Sequence, residues 1–173
     1  GKKVIVTTST HLQTPPEEIR AWNIEEVRSL WKSDQIAVIG TDCESNKNLA
    51  AGDQAAVNQM ENKKSVKKMR MPDSSFLQEV LQEAEVVLIE ADGAKHLPCK
   101  VPIEKEPVII PECTDVIAVV GMDALGKPLE EVCFRKDLAV QFLNTSYKHL
   151  IAEEDIAKIL SSVQGARKGV EDR

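Results

Sequence analysis

Aromatic side chains are scarce, at only 3% of the 173 residues. They are confined to Trp22, Trp31, Phe76, Phe134, Phe142 and Tyr147, so the core has to be aliphatic. Long apolar runs are missing too. The longest, around Val86 to Ile89 and Val116 to Val120, fall well short of the roughly 20 residues a membrane helix needs, and no membrane partner is expected. The four cysteines, Cys43, Cys99, Cys113 and Cys133, contain no CxxC pair. Their scatter indicates neither a zinc site nor a disulfide framework. Reduced thiols in a cytoplasmic protein are the expectation, and the start of the sequence, which has no basic n-region or signal-type apolar stretch, reads the same way. A Gly-x-Ser-x-Gly elbow, paired histidines at helical spacing and Gly-x-Gly-x-x-Gly are also absent, so a hydrolase triad or zincin has no support. Positive charge is in deficit: the net charge is -6 and the sequence pI about 5.2, which argues against nucleic acid as a partner.

What is present is an α/β pattern. Val4-Ile5-Val6, Ile36 to Ile39, Val86 to Ile89 and Val116 to Val120 are short continuous apolar runs, the form of strands buried on both faces. Helical segments alternate with them. Asn23 followed by Glu25-Glu26 predicts an N-cap and a helix over about 24–32. Pro15-Pro16 followed by Glu17-Glu18 looks like another helix start, and Pro72-Asp73-Ser74-Ser75 caps an amphipathic segment carrying Phe76, Leu77, Val80 and Leu81. Further helices are expected from Arg135 to Leu143 and Glu153 to Leu160, with a turn at Gly126-Lys127-Pro128. The length suits one domain over 1–173, a mainly parallel sheet with helices on both faces. Residues 41–71 read as a polar, partly mobile insertion carrying the basic run Lys63 to Lys68, and Gly165 to Arg173 as a polar, frayed tail.

In such sheets ligands bind beyond the carboxyl ends of the strands, which here are Thr7 to Thr10, Gly40 to Asp42, Glu90 to Gly93 and Gly121 to Asp123. Four apolar residues running into Glu90 and Asp92 have the form of a Walker B strand, whose acid holds magnesium or its water beside a nucleotide triphosphate. An acid at a strand end also serves as a turn cap. Thr7, Thr8, Ser9 and Thr10 crowd hydroxyls that can ligate magnesium or bond phosphate, or can simply be strand residues. His11 beside them is either an acid-base group or a structural turn residue. Lys95 adjoins the acidic pair closely enough to reach a phosphate, whereas Lys100 and Lys105 in the proline-rich coil read as solubility residues.

Three blocks then carry a resemblance: Glu90-Ala-Asp-Gly-Ala-Lys-His-Leu-Pro-Cys-Lys-Val-Pro102, Glu106-Pro-Val-Ile-Ile-Pro111 and Val120-Gly-Met-Asp-Ala-Leu-Gly-Lys-Pro-Leu129. With Val6-Thr-Thr-Ser-Thr-His11 in front, their order and spacing resemble the YqeC family, accessory proteins linked to selenium-dependent molybdenum hydroxylases and similar to P-loop NTPases. The resemblance implies binding of magnesium and ATP or GTP. It implies Glu90 and Asp92 as catalytic acids, Glu90, Asp92 and Thr8 toward the metal, and Thr7, Thr8, Thr10, Lys95 and Arg135 toward the nucleotide. Partners would be the nucleotide and a molybdenum hydroxylase or its cofactor. A slow magnesium-dependent NTPase, a non-catalytic chaperone for client or cofactor, and a nucleotidyl- or phosphoryl-transferase acting on the cofactor are the three readings. Family members carry a glycine-rich Gly-Lys-Thr loop upstream. Here Gly1-Lys2-Lys3 reads as the entry to a strand, so that loop and a later strand after the last helix are expected to lie outside this sequence. Where the family has His-Arg, this chain has Cys133-Phe134-Arg135.

Overall fold

The computed structural model describes residues 1–43 and 67–170, in two compact units, Gly1–Glu90 and Ala91–Arg173. The first holds β1 (Val4–Thr8), β2 (His11–Gln13), β3 (Arg20–Ala21), α1 (Ile24–Lys32), β4 (Ala37–Ile39), β5 (Thr41–Asp42), β6 (Lys68–Arg70), α2 (Ser74–Glu83) and β7 (Val86–Glu90). Three of the four apolar runs expected as strands do form a single parallel sheet, in the order β3-β4-β1-β7. Ile5, Ala37, Val38 and Ile39 are buried in it. The Ile and Val side chains among them contribute about 1.5–3 kcal/mol each when fully buried.

α1 begins where its sequence dictates. The Asn23 carboxamide oxygen accepts from the Glu26 amide at 2.9 Å, and the Glu26 carboxylate accepts from the Trp22 amide at 2.8 Å. Two orphan donors are thereby satisfied. Ile24 and Val27 bury the inner face, and Trp31 Nε1 donates to Val4 O at 3.1 Å, pinning the helix to β1. In α2, Leu77 and Val80 are the buried pair. The Pro15-Pro16 segment yields only a 3-10 turn, Glu17–Ile19.

A second sheet went unforeseen. β2, β6 and β5 form an antiparallel ladder in the order β2-β6-β5, pairing His11 with Arg70 and Thr41 with Arg70. The two ends of the 41–71 stretch are therefore strands, while residues 44–66, with Lys63 and Lys64, lie outside the described residues. Met69 is fully buried, and Gly40 is required beside it: a Cβ there would sit 2.7 Å from Arg70 O and 2.9 Å from Met69 Cε.

The second unit has β8 (Cys99–Lys100), α3 (Leu129–Val132), β9 (Cys133–Phe134), α4 (Lys136–Leu143) and α5 (Glu153–Ser161). Its core gathers Cys99, Val101, Ala124, Leu129, Val132, Cys133, Ala139, Ile151, Ile156 and Ile159. The expected strand Val116 to Val120 is not one: those residues form no ladder, and Ile117 and Val119 are 83% and 84% exposed. An apolar run becomes a strand only when a neighbour takes its amides and carbonyls, and none of the ladders of this unit includes it. The expected fraying of the tail is also corrected for 165–170. Ala166 N donates to Ile159 O at 2.8 Å and Lys168 Nζ to Ile103 O at 2.7 Å. The turn needs Gly165, whose missing Cβ would lie 2.2 Å from Ile159 O. Residues 171–173 lie outside the described residues.

Candidate functional site

In the first unit the parallel register sets Thr8 opposite Glu90 at the carboxyl ends of β1 and β7. The hydroxyls there are occupied. Thr7 Oγ1 donates to Ile39 O at 2.9 Å and Thr8 Oγ1 to Glu90 O at 3.0 Å, while the Thr10 amide donates to Thr8 Oγ1 at 3.0 Å. Thr7 and Thr8 are fully buried, and Thr10 Oγ1 lies 3.3 Å from the Thr8 hydroxyl. Their evident work is to lock three strand ends together, with the Ser9 amide adding a bond to Glu90 O at 3.1 Å. The Glu90 side chain differs. Its residue is exposed and its carboxylate has no hydrogen-bond or ion-pair partner among the described residues. His11 is exposed on β2, at the rung with Arg70.

For magnesium, the donor chemistry fits at Glu90, whose exposed carboxylate would offer the ion a hard oxygen ligand. Thr8 fits less well, because one lone pair already accepts from Thr10 and the side chain is buried. No group of three or more His, Cys, Asp or Glu side chains arranged for a metal occurs among the described residues. A magnesium site that uses one or two carboxylates does not need one.

In the second unit Asp92, Lys95 and Arg135 belong to one charged cluster, together with two groups that sequence reasoning had set aside or passed over. Lys100, expected as a solubility residue, is only 8% exposed in its side chain and bridges Asp92 and Glu106, the latter at 2.8 Å. Its ammonium also donates to Gly93 O at 3.2 Å. Arg135 Nη2 pairs with Glu106 at 2.7 Å, and its Nε is buried without a partner. Phe134 lies at the centre. The charged ends of Lys95, Lys100 and Arg135 are 5.0, 5.3 and 5.0 Å from its ring centroid, each within cation–π range. Three cations face two carboxylates, and Lys95 is the exposed one.

Burial pushes the Asp92 carboxyl above its usual range, against the pull of Lys100. Glu106 is also pushed up by burial, yet hydrogen bonds from Lys100, Arg135 and the Ile103 amide outweigh this, and its carboxyl titrates below the usual range. The backbone here is held in an uncommon conformation: Lys95, His96 and Arg135 all have left-handed φ, at 50°, 65° and 65°. For non-glycine residues that costs about 1 kcal/mol or more each. The cluster's own bonds offset this. A signal for Lys100 and Glu106 was thin, since a lone Lys and a lone Glu in a proline-rich coil have no periodicity to mark them as inward.

No helix among the described residues is long and apolar enough to cross a membrane. No solved structure matches the chain. A protein of Escherichia coli (strain K12), described as "Uncharacterized protein YqeC", is 35% identical over 89 residues, 51% of this chain and 35% of that protein. The chain thus aligns with about a third of the length of that curated relative. The YqeC protein family matches residues 1–137, and these run from the Thr-rich end of β1 through Glu90 and the charged cluster to Arg135. The chain belongs to the YqeC family.

Proposed function

We propose that the chain is part of a P-loop NTPase-like, nucleotide-binding accessory protein in the maturation of selenium-dependent molybdenum hydroxylases, and that Glu90 is its acid toward magnesium-nucleotide. The observation that carries this reading is the exposed Glu90 carboxylate, unpartnered among the described residues, at the end of an apolar parallel strand in register with Thr8. A strand-end acid of this kind, in an α/β sheet, is placed where such folds hold magnesium beside phosphate. Thr7, Thr8 and Thr10 act in this reading by fixing the strand ends so that the carboxylate is presented rigidly. In the second unit Asp92 is already paired with Lys100 and Arg135 with Glu106.

The client is a molybdenum hydroxylase or its cofactor in this reading, which rests on family membership alone. The experiment is equilibrium binding of fluorescent ATP and GTP analogues to the intact protein, with magnesium and with a chelator. Magnesium-dependent binding that Glu90→Gln weakens by about tenfold, the worth of one charge-assisted contact of about 1.4 kcal/mol, is the expected result. Equal binding by wild type and variant removes Glu90 from the site, and no binding of either nucleotide by the intact protein ends the reading.

A further inference from the structure

The four cysteines look unrelated in sequence, yet two of them meet. Cys99 and Cys133 are directly opposite each other in the parallel β8–β9 pair. Each is 2% exposed, and each thiol shifts the titration of the other. Cys99 Sγ lies 3.3 Å from Val132 O and Cys133 Sγ 3.6 Å from Phe134 O, and residues opposite each other in a ladder project to the same face. Cys43 and Cys113 are half-buried and free. Cys113 is the more local of the two, with its sulfur 3.1 Å from Asp115 O.

We propose that Cys99 and Cys133 are a convertible dithiol–disulfide site whose co-reactant is a low-molecular-weight disulfide. Adjacent strands lie about 4.8 Å apart, inside the range of Cα separations a disulfide accepts, but a disulfide prefers Cβ atoms about 3.8 Å apart. The two strands must therefore draw together slightly. Each is only two residues long, so the ladder offers little resistance, and local opening of so short a pair also admits the reagent. The bond that forms carries strain, which makes it readily reduced rather than a permanent staple.

Chemically, the Cys99 thiolate attacks one sulfur of the small disulfide, forming a mixed disulfide and releasing one small thiolate. Cys133, its proton passing to solvent, then attacks the Cys99 sulfur and releases the second. Two protein thiols are oxidised and one small disulfide is reduced to two thiols. The hydrogen bond from its neighbour lowers the Cys99 thiol from its ordinary range and raises that of Cys133, which suits Cys99 to the first attack. The next rung of the same ladder pairs Lys100 with Phe134, so closing the bond tightens the strands beneath the charged cluster.

The test is to equilibrate the reduced protein with oxidised and reduced glutathione at rising ratios, quench in acid, alkylate free thiols and digest without reduction. A Cys99–Cys133 linked peptide pair should appear and vanish on reduction, while Cys43 and Cys113 carry only alkyl or glutathione adducts. In Cys133→Ser the first attack stalls, so Cys99 should accumulate as its glutathione adduct, which wild type does not retain. Unreacted Cys99 and Cys133 at ratios that fully modify Cys43 and Cys113, or linkage of either to Cys43 or Cys113 instead, would overturn the proposal. The wild-type measurement decides the matter even where the variant fails to fold.

Discussion

Glu90 and Asp92 stand two residues apart on the chain and were read as one acidic pair, yet the two units give them opposite circumstances. In the first unit Glu90 ends a regular parallel strand, exposed and without a side-chain partner among the described residues. In the second, Asp92 is held by Lys100 within a cluster that also occupies Glu106 and Arg135. The difference follows from how each unit is built. The first stacks aliphatic strands, so its charges are left at the rim. The second has few ladder bonds and irregular backbone, and it buries charges that must then be paired.

The comparison is broken most severely by Lys100→Met. Removing the cation leaves the Asp92 and Glu106 carboxylates partly buried with one counter-charge between them, and a loss of about 3 kcal/mol in urea unfolding is expected. Gly40→Ala tests the first unit in turn. The added Cβ meets the Arg70 carbonyl and Met69, and overpacking of this kind costs about 1–3 kcal/mol, read as a lower midpoint with an unchanged denaturant slope.

Acid titration sharpens the contrast inside the cluster. The Glu106 carboxyl is lowered in the folded state, so its stabilisation is present above the ordinary carboxylate range and is lost as pH falls through the lowered value. Asp92 is raised, so its contribution has the opposite sign: it is present below the ordinary range and is lost as pH rises through the raised value. Stability measured against pH should therefore show a shallower acid-side decline in Glu106→Gln, the lowered Asp34 and Glu83 carboxyls keeping part of it, whereas Asp92→Asn should make that decline steeper. An unchanged profile in Glu106→Gln would show that the ion pairs do not act in solution.

Much of the first unit was legible beforehand because its signals are redundant. The α1 bounds, Ile24–Lys32, follow from the Asn23 cap, the acidic first turn and the Ile24-Val27 spacing together. Strands β1, β4 and β7 follow from short unbroken aliphatic runs. The antiparallel sheet was not legible, since strands of two or three residues such as Thr41–Asp42 are too short to show a period of two. Val116 to Val120 carried the same apolar signal as β7 and formed no strand, because composition cannot supply the neighbouring backbone. At the site, the strand-end position of Glu90 was within reach of the sequence, whereas Asp92, Lys95 and Arg135 were expected around a nucleotide and not in a charged cluster of their own. The inward turn of Lys100, the role of Glu106 and the meeting of Cys99 with Cys133 depend on contacts between residues 6–34 positions apart, in coil that offers no pattern.

The smallest expected effect on folding is also the most direct test of the account. Glu90→Gln should leave thermal stability of the nucleotide-free protein within about 0.5 kcal/mol of wild type, as for a surface substitution away from special features, and should weaken magnesium-dependent nucleotide binding about tenfold. A variant that binds nucleotide like wild type, or one whose nucleotide-free form is strongly destabilised, would mean that Glu90 is a structural strand-end residue and that the free carboxylate is not the acid of the site.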